Sequence, residues 1–248
     1  MASFKPIGSP FIELPAIDST NNYAMAVLHE GMAQHGMAVF THHQQKGKGQ
    51  RNKEWISGKD MNIALSAVIE PIVLLSSQMF LLSMATAVAA ARLFKSYAED
   101  DVCIKWPNDV YWRDRKAGGI LIENVIKGNE WKYAIAGIGL NINQTDFGVL
   151  NVRAVSLKQI TGKNHDPLLL AKELCSYLNE EYQILWNDDA ETIERYQKFL
   201  YKKNQKVKLK KDNRVFEAVI KDVTKDGRLV VETSVEEQFS VGEIEWVI

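Results

Sequence analysis

The segment from Gln44 to Trp55 is the part of this sequence best suited to hold an anion. Two glycines, Gly47 and Gly49, flank Lys48, so the backbone can approach a ligand closely. The segment carries four basic residues and one acidic residue, namely Lys46, Lys48, Arg51, Lys53 and Glu54. A phosphate or a carboxylate is the expected guest, and the alternative is a solvated basic hairpin tip. No GxxxxGKS or GxxxxGKT string occurs, so this is not a Walker A loop.

A second constellation is the string Lys-Trp-Pro-Asn-Asp at residues 105–109. Pro107 favours an extended conformation for Trp106, and the string ends on an amide and a carboxylate at a predicted turn. The carboxylate of Asp109 could contact a magnesium ion, which keeps several waters and takes few protein ligands. Asn-Asp after Pro is also a common turn sequence, and from these residues alone the turn is the simpler interpretation.

Two predicted strands are mainly apolar, but each also carries glycine residues, and one of them carries asparagine residues as well. Lys116 lies just before Gly118 and Gly119, and glycine within a strand marks a bulge or a ligand pressed against the backbone. Residues 137–143 hold two glycines and two asparagines, and a polar side chain on such a strand needs a partner. The alternatives are a bulge that serves only sheet twist and a structural hydrogen-bond network.

No nucleophile paired with a base is visible. The five histidines lie outside any HExxH or GxSxG context, at positions 29, 35, 42, 43 and 165. His42 and His43 are expected to form part of a loop wall. The residues therefore predict a site for an anionic small molecule, with a nucleotide as a candidate, in which electrostatic stabilisation does more than covalent chemistry.

The elements that must position these residues form an α+β pattern with a mainly antiparallel or mixed sheet. Helices are predicted over residues 19–29, 77–98, 166–185 and 188–200, with Ser76 or Ser77 as the N-cap of the second. Strands are predicted over 37–41, 61–69, 102–106 and 110–112, and a further hairpin joins 118–126 to 131–143.

The composition of the chain shifts near residue 200. Seven basic residues and one acidic residue fall between Lys202 and Arg214. Apolar and polar residues then alternate to the end, with Asp226-Gly227 as a hairpin turn. We therefore predict a larger domain over residues 1–200 and a small β-barrel over residues 201–248.

Composition and charge exclude several classes of function. Thirty basic residues against thirty-one acidic ones give a net charge of −1, so nothing global favours DNA or an acidic membrane surface. Cys103 and Cys175 lie far apart, which fits a reducing cytoplasm without a disulfide or metal centre. The N-terminus shows no secretory signal, and the apolar stretch 79–91 is shorter than the about 20 residues that span a membrane. We expect a cytoplasmic protein without a DNA or membrane partner.

The motifs together, in this order and spacing, resemble those of biotin–protein ligases. The resemblance runs from Ile17 to about Asn143, and its motifs are Asp18-Ser19-Thr20-Asn21, Gln44-x-x-Gly47-Lys48-Gly49, Trp55, the string at residues 105–109, Lys116-x-x-Gly119-Ile120-Leu121 and Gly137-x-Gly139-x-Asn141. It implies the catalytic core of class II synthetase-like, biotin- and lipoate-ligase proteins, followed by an SH3-like barrel. It also implies an enzyme that activates biotin as biotinyl-5′-AMP and transfers biotin to a lysine of a biotin carboxyl carrier protein.

The resemblance assigns roles to individual residues. Those implied for biotin are Ser19, Thr20, Asn21, Gln44, Gly47, Lys48, Gly49, Trp55, Lys116, Gly119 and Leu121. Those implied for ATP are Lys48, Gly49, Gln50, Arg51, Trp55, Asn108, Lys116 and Asn141. Lys116, Lys48 and Arg51 are the implied catalytic residues, and Asp109 is a candidate magnesium contact. ATP with Mg²⁺ and biotin are implied as substrates, with no tightly bound prosthetic group.

Two departures from the family pattern concern the nucleotide. The family's loop commonly reads Gly-Arg-Gly-Arg, whereas here Lys48 and Gln50 take the arginine positions, and Arg51 follows one place later. An ammonium or an amide does not replace a planar guanidinium. Val247 stands where some members carry an arginine near adenine, and Trp246 either stacks there or packs the barrel, with packing favoured.

Other functions remain open at this level. A lipoate or octanoate ligase shares the architecture but usually lacks the glycine loop with a following Trp and the 105–109 string. A nucleic-acid module built on residues 202–214 is disfavoured because no aromatic residue interleaves the bases. The segment before Asp18 is too short for a three-helix DNA reader, so we expect a ligase without repressor function. The sequence leaves open whether the protein is a monomer or a homodimer.

Overall fold

A seven-stranded sheet is the frame on which the larger part of the chain is built. The structure is a computed structural model, and it describes residues 5–72, 74–148 and 153–247. The strands up to residue 141 are β1 (Phe11–Leu14), β2 (Ala38–Thr41), β3 (Gly47–Lys48), β4 (Glu54–Trp55), β5 (Asn62–Ile69), β6 (Val102–Lys105), β7 (Asp109–Trp112), β8 (Arg115–Lys127) and β9 (Glu130–Asn141). The sheet has the order β1-β2-β5-β9-β8-β7-β6, and β3 pairs only with β4. The β1–β2 pair is parallel and the other pairs are antiparallel.

Helices cover both faces of this sheet. They are α1 (Thr20–His29), α2 (Met79–Ala98), α3 (Leu157–Thr161), α4 (Pro167–Asn187) and α5 (Asp189–Phe199). Along β2, Ala38 and Phe40 join the core that contains α2 and α4, whereas Val39 joins the cluster under α1. This alternation is the two-residue period of a strand that is buried on both faces.

Helix α2 is the central helix of the core. By length and hydropathy alone the segment Ser76–Ala98 is sufficient to cross a membrane, but 67% of its most apolar 18 residues are buried inside the protein. The prediction that Ser76 or Ser77 caps it is wrong, because both lie in a short 3₁₀ turn that precedes the helix. Gln78 accepts a hydrogen bond from the backbone N–H of Leu75 through its side chain, and α2 begins only after that turn.

A second sheet follows in the C-terminal part. Its strands are β10 (Lys206–Lys211), β11 (Arg214–Val223), β12 (Leu229–Glu232), β13 (Glu236–Phe239) and β14 (Glu245–Val247). They are antiparallel in the order β13-β12-β11-β10-β14. The predicted turn at Gly227 joins β11 to β12, with a φ of 89° that glycine adopts without strain.

The turn at Gly227 also contacts the larger part of the protein. The indole N–H of Trp106 donates to the carbonyl of Gly227 at 2.9 Å, and a Cβ at Gly227 would lie 2.4 Å from the ring of Phe80. The predicted fold class, an α+β core followed by a small β domain, is confirmed. The domain boundary between residues 200 and 201 stays a prediction.

The elements differ from the predicted ones mainly at their ends. Strand β6 ends at Lys105, since Trp106 to Asn108 form the turn to β7. Strand β1 and helix α3 were not among the predicted elements, and the predicted loop over residues 44–55 contains the β3–β4 hairpin.

Candidate active site

A cavity of about 700 Å³ opens between the main sheet, the 44–55 loop and the C-terminal sheet. All but one of the residues given roles by the resemblance line it. They are Ser19, Thr20, Asn21, Gln44, Lys48, Gly49, Gln50, Arg51, Trp55, Asn108, Asp109, Lys116, Gly119, Leu121 and Asn141. The exception is Gly47, where a Cβ would lie 2.2 Å from the carbonyl oxygen of Trp55 and 2.6 Å from Nε2 of Gln44. Gly47 therefore allows the β3–β4 hairpin to close tightly.

Glycines make the floor of the cavity flat. Gly119 on β8 lies opposite Gly139 on β9, and Gly137 lies opposite Leu121. A Cβ at Gly139 would lie 2.5 Å from the ring of Trp55, and one at Gly137 would lie 2.3 Å from Oδ1 of Asn21. Both distances are shorter than any ordinary carbon contact, so the wall of the cavity approaches the floor only because these residues are glycines.

Neutral polar side chains line one end of the cavity. Oε1 of Gln44 accepts hydrogen bonds from the backbone N–H of Thr20 at 3.0 Å and from its hydroxyl at 3.2 Å. The hydroxyl of Ser66 lies 2.7 Å from Oγ1 of Thr20 and 2.6 Å from Oδ1 of Asn21. Ser19, Thr20 and Asn21 are brought here because they start helix α1 directly beside β5. This end can hold the polar but uncharged part of a ligand.

The other end of the cavity holds a lysine and a carboxylate. Nζ of Lys116 donates to Oδ1 of Asp109 at 2.7 Å, and each side chain is about one quarter exposed. The backbone of Lys116 is fixed by the segment beside it: its N–H donates to Arg153 at 2.6 Å and its carbonyl accepts from Val155 at 2.8 Å. A rigidly placed ammonium group suits the stabilisation of negative charge that develops during a reaction.

The two asparagines predicted for ATP make hydrogen bonds within the protein. Asn141 is 3% exposed, and its amide group donates to the carbonyls of Lys116 at 3.3 Å and Val155 at 3.2 Å. Asn108 donates through its side chain to the carbonyl of Ile120. Both therefore brace the cavity walls, and their contact with ATP stays a prediction.

The described residues contain no group of three or more His, Cys, Asp or Glu side chains that could hold a metal ion. Asp109 is the predicted magnesium contact, and its position beside Lys116 places one carboxylate at the cationic end of the cavity. A magnesium ion that arrives with a nucleotide fits such a place, because it takes most of its ligands from phosphate and water.

The glycine loop lies over the cavity as a short hairpin. Gly47 pairs with Trp55 and Lys48 with Glu54, and the N–H of Gly49 donates to Lys53 at 2.6 Å. Arg51 has a left-handed φ of 54° at the tip of this hairpin.

The tip of the loop reaches the C-terminal sheet. A Cβ at Gly242 would lie 2.6 Å from Nη2 of Arg51, so the arginine side chain rests against this glycine. The loop and the C-terminal part of the chain therefore roof the cavity together.

Some lining residues were not assigned from the sequence. Lys105 donates to the hydroxyl of Tyr111 at 3.2 Å and lies over two rings, 5.0 Å from that of Tyr111 and 5.5 Å from that of Trp246. Burial lowers the pKa of Lys105 to about 8. Lys105 is the first residue of the 105–109 string. Its position beside the predicted turn is the sequence feature that could have identified it as a residue of the cavity.

Two tryptophans of the cavity have unpaired N–H groups. Trp55 and Trp246 both line it, and the buried Nε1 of each has no acceptor among the described residues. Trp246 also packs on Tyr201, with the ring centroids 5.6 Å apart. It thus belongs both to the barrel and to the wall of the cavity. A buried donor without an acceptor is costly, so a ligand that supplies acceptor atoms would be stabilised here.

His42, which precedes the glycine loop, contacts Glu13 on β1 and Asp60, which follows the loop. Its ring nitrogens lie 2.8 Å from Glu13 and 2.8 Å from Asp60, and its carbonyl accepts from the N–H of Asp60 at 2.8 Å. The hydrogen bond with Glu13 is the main factor that raises the pKa of His42 above 6.5, and Asp60 adds to it. Only the protonated ring can donate to both carboxylates at once.

We expect the stabilisation by His42 to depend on pH. It should be fully present below pH 6.5, while both carboxylates stay ionised, and should disappear as the pH rises through the raised pKa of the ring. Thermal unfolding of the wild type and of His42→Gln at a series of pH values measures this, with His43→Gln as the control. A difference between wild type and His42→Gln that stays constant across the series would contradict the two-carboxylate clamp.

The fold and the cavity define a class of α+β proteins with a cavity of ligand size beneath a glycine-bearing loop. Residues 13–141 match the Biotin/lipoate A/B protein ligase family, and residues 204–246 match the Biotin protein ligase C terminal domain. The first match covers more than half of the sequence. The chain therefore belongs to the Biotin/lipoate A/B protein ligase family, and the resemblance carried by the sequence motifs is confirmed.

Individual proteins similar to this chain agree with that family. The bifunctional ligase/repressor BirA of Escherichia coli (strain K12) is 28% identical over 232 residues, which are 91% of this chain and 70% of the relative. The biotin–[acetyl-CoA-carboxylase] ligase of Paracoccus denitrificans is 31% identical over 62% of this chain and 65% of its own length. The structure of a biotin protein ligase from Aquifex aeolicus in complex with biotin and ATP has a TM-score of 0.79 at 22% identity, covering 96% of this chain and 99% of that one. At that identity the structural likeness shows the fold.

Proposed function

We propose that this protein joins biotin to a carrier-protein lysine in two steps. In the first, a carboxylate oxygen of biotin attacks the α-phosphorus of ATP, pyrophosphate leaves and biotinyl-5′-AMP forms. In the second, the ε-amine of the carrier lysine attacks the acyl carbon, AMP leaves, the nitrogen loses a proton and an amide remains. One observation carries the proposal: a single cavity joins a neutral polar end to a lysine–carboxylate end across a glycine floor.

The neutral end suits the ureido ring of biotin. That ring offers two N–H donors and one carbonyl acceptor without net charge, and the side chains of Ser19, Thr20 and Gln44 supply matching neutral groups. Trp55 lies against Gly139, so an apolar wall stands beside the floor where the rest of a flat ligand would lie. Such a mixture of apolar walls and a few placed polar groups is typical of small-molecule sites.

The cationic end suits the reacting carboxylate and phosphate. Asp109 places a carboxylate oxygen 2.7 Å from the ammonium nitrogen of Lys116, and this contact holds the end of the lysine side chain in position. Because hydrogen bonds hold the backbone of Lys116 and Asp109 holds its Nζ, the charge is already placed when negative charge develops on the α-phosphate. Lys116 thus acts by electrostatic stabilisation rather than by proton transfer.

The glycine loop would retain the intermediate. Lys48 and Arg51 supply positive charge, and the backbone of Gly49 allows a close approach to phosphate. Closure of this roof would keep water away from the mixed anhydride, which water otherwise hydrolyses. Lys48 and Gln50 replace the family's arginines, which removes two planar guanidinium groups. Retention of the adenylate would therefore depend more on Arg51.

The remaining assignments are proposals of the same kind. Magnesium would enter with ATP, and Asp109 is the carboxylate placed to contact it. The acceptor would be a biotin carboxyl carrier protein. The two cysteines, Cys103 and Cys175, are free, which supports work in the reducing cytoplasm.

Intact-mass spectrometry of a carrier domain tests this function. The domain is incubated with the protein, ATP and magnesium, with biotin and lipoate offered in equal amounts. We expect an ATP-dependent mass gain of one biotinyl group on one lysine. A lipoyl gain would keep the fold and overturn the assignment of the neutral end, and no gain with either acid would refute the ligase function.

A further inference from the structure

Glu123 connects the neutral end of the cavity to the glycine loop. It lies on β8, two residues beyond Leu121, with its side chain 31% exposed. Oε2 of Glu123 accepts from Nδ2 of Asn21 at 2.7 Å, and Oε1 lies 3.5 Å from Nζ of Lys48. One carboxylate therefore binds the start of helix α1 with one oxygen and the loop with the other.

A series of short polar contacts continues from Asn21 back to the start of the loop. Oδ1 of Asn21 lies 2.6 Å from the hydroxyl of Ser66, and that hydroxyl lies 2.7 Å from Thr20, which in turn donates to Gln44. Ser66 is fully buried, and its single hydroxyl proton can be given to only one of its two neighbours at a time. A ligand that bonds to Thr20 or Gln44 therefore changes which of these two neighbours receives the proton of Ser66, while Nδ2 of Asn21 stays bonded to Glu123.

The two bonds of Glu123 differ in strength. The bond to Asn21 is short and its partner is 4% exposed, whereas the pair with Lys48 is long and both of its side chains are partly exposed. An exposed pair of this kind is weak and is readily exchanged for a better anion. A phosphate group in the cavity is such an anion, since Lys48 also lines the cavity.

We propose that Glu123 is a positioning residue that holds Lys48 in the absence of the adenylate and releases it to the adenylate when that intermediate forms. Glu123 keeps its bond to Asn21 in both states, so the neutral end stays intact while the lysine changes partner. Glu123 then competes with the adenylate for Lys48 and limits how long the intermediate is retained. This inference rests on the proposed function and adds a residue that controls the lifetime of its intermediate.

The substitution Glu123→Gln separates the two bonds. Its amide oxygen can still accept from Asn21, but it no longer attracts the ammonium group of Lys48. We expect the affinity for biotin alone to stay within about twofold and the release of biotinyl-5′-AMP to slow by about threefold, the size that an exposed ion pair supports. Release is measured by chasing preformed radiolabelled adenylate with unlabelled biotin and ATP.

Two further variants complete the experiment. In a Lys48→Met background, Glu123→Gln should no longer slow release, which a merely structural role of Glu123 would not predict. Glu130→Gln removes the same charge from an exposed site on the neighbouring strand β9, where the partner is Lys132, and should leave release unchanged. The proposed function fails if the wild type forms no adenylate. The inference alone fails if adenylate forms and Glu123→Gln releases it at the wild-type rate, or slows release equally with Met at position 48.

Discussion

Replacing Lys116 with alanine is expected to lower the rate of biotin adenylation by about a hundred- to a thousandfold, which is the size of effect seen when one preorganised charge-stabilising group is removed. The reason is positional. Nζ lies 2.7 Å from Asp109, and the backbone of Lys116 is held by Arg153 and Val155, so no other described lysine is placed in the same way. Biotin-dependent exchange of labelled pyrophosphate into ATP measures this step directly.

The fold should survive this substitution. Asp109 is about one quarter exposed, so water can hydrate the carboxylate that loses its partner. Lys127→Ala is the matched control, because Lys127 ends the same strand, β8, and is exposed. Exchange at the wild-type rate in Lys116→Ala, with an unchanged unfolding midpoint, would remove Lys116 from the catalytic assignment.

Replacing Gly139 with alanine is expected to lower biotin activation by about ten- to a hundredfold, since displacing a positioning group by about 1 Å can cost that much. A Cβ at Gly139 would lie 2.5 Å from the ring of Trp55, so the ring must move away from the floor. Trp55 pairs with Gly47 through the backbone, and its displacement would also disturb the hairpin that carries Lys48. The affinity for biotin, from titration calorimetry, and the pyrophosphate exchange rate should therefore fall together.

Gly128→Asn is the control for this variant. Gly128 lies in the turn between β8 and β9, has a φ of 62°, and a Cβ there would meet nothing within 4 Å. Asparagine tolerates that conformation better than most residues, so this variant should bind biotin normally. If Gly139→Ala binds biotin as tightly as the wild type, the contact between Trp55 and the floor does not shape the site.

The sequence by itself was sufficient for the fold class, and it identified fifteen of the residues that line the cavity. The loop over residues 44–55 could be identified from glycine spacing and charge, because close backbone approach and local cation density depend on neighbouring residues only. The ordered motifs from Asp18 to Asn141 carried the family resemblance. Alternation and helical periodicity gave most elements to within a few residues, since they reflect burial on one or two faces.

The tertiary structure decided what each side chain does. The family resemblance implies a nucleotide contact for Asn141, and the structure adds that its amide group donates to the carbonyls of Lys116 and Val155. Lys105 gained its place and its lowered pKa from burial beside Trp246, which lies 141 residues away in the sequence. Such partners come from strand register and from the contact between the two sheets.

Glu123 is the clearest example of a residue whose side-chain partners could not be predicted from the sequence. On the sequence it is one acidic residue at the end of an apolar run, and its role depends on Asn21 and Lys48, each more than 70 residues away. Local composition determines which conformations and charges a segment can offer. Only long-range strand pairing, which fixes the register of β8 against β9 and places helix α1 beside β5, determines which of those groups meet.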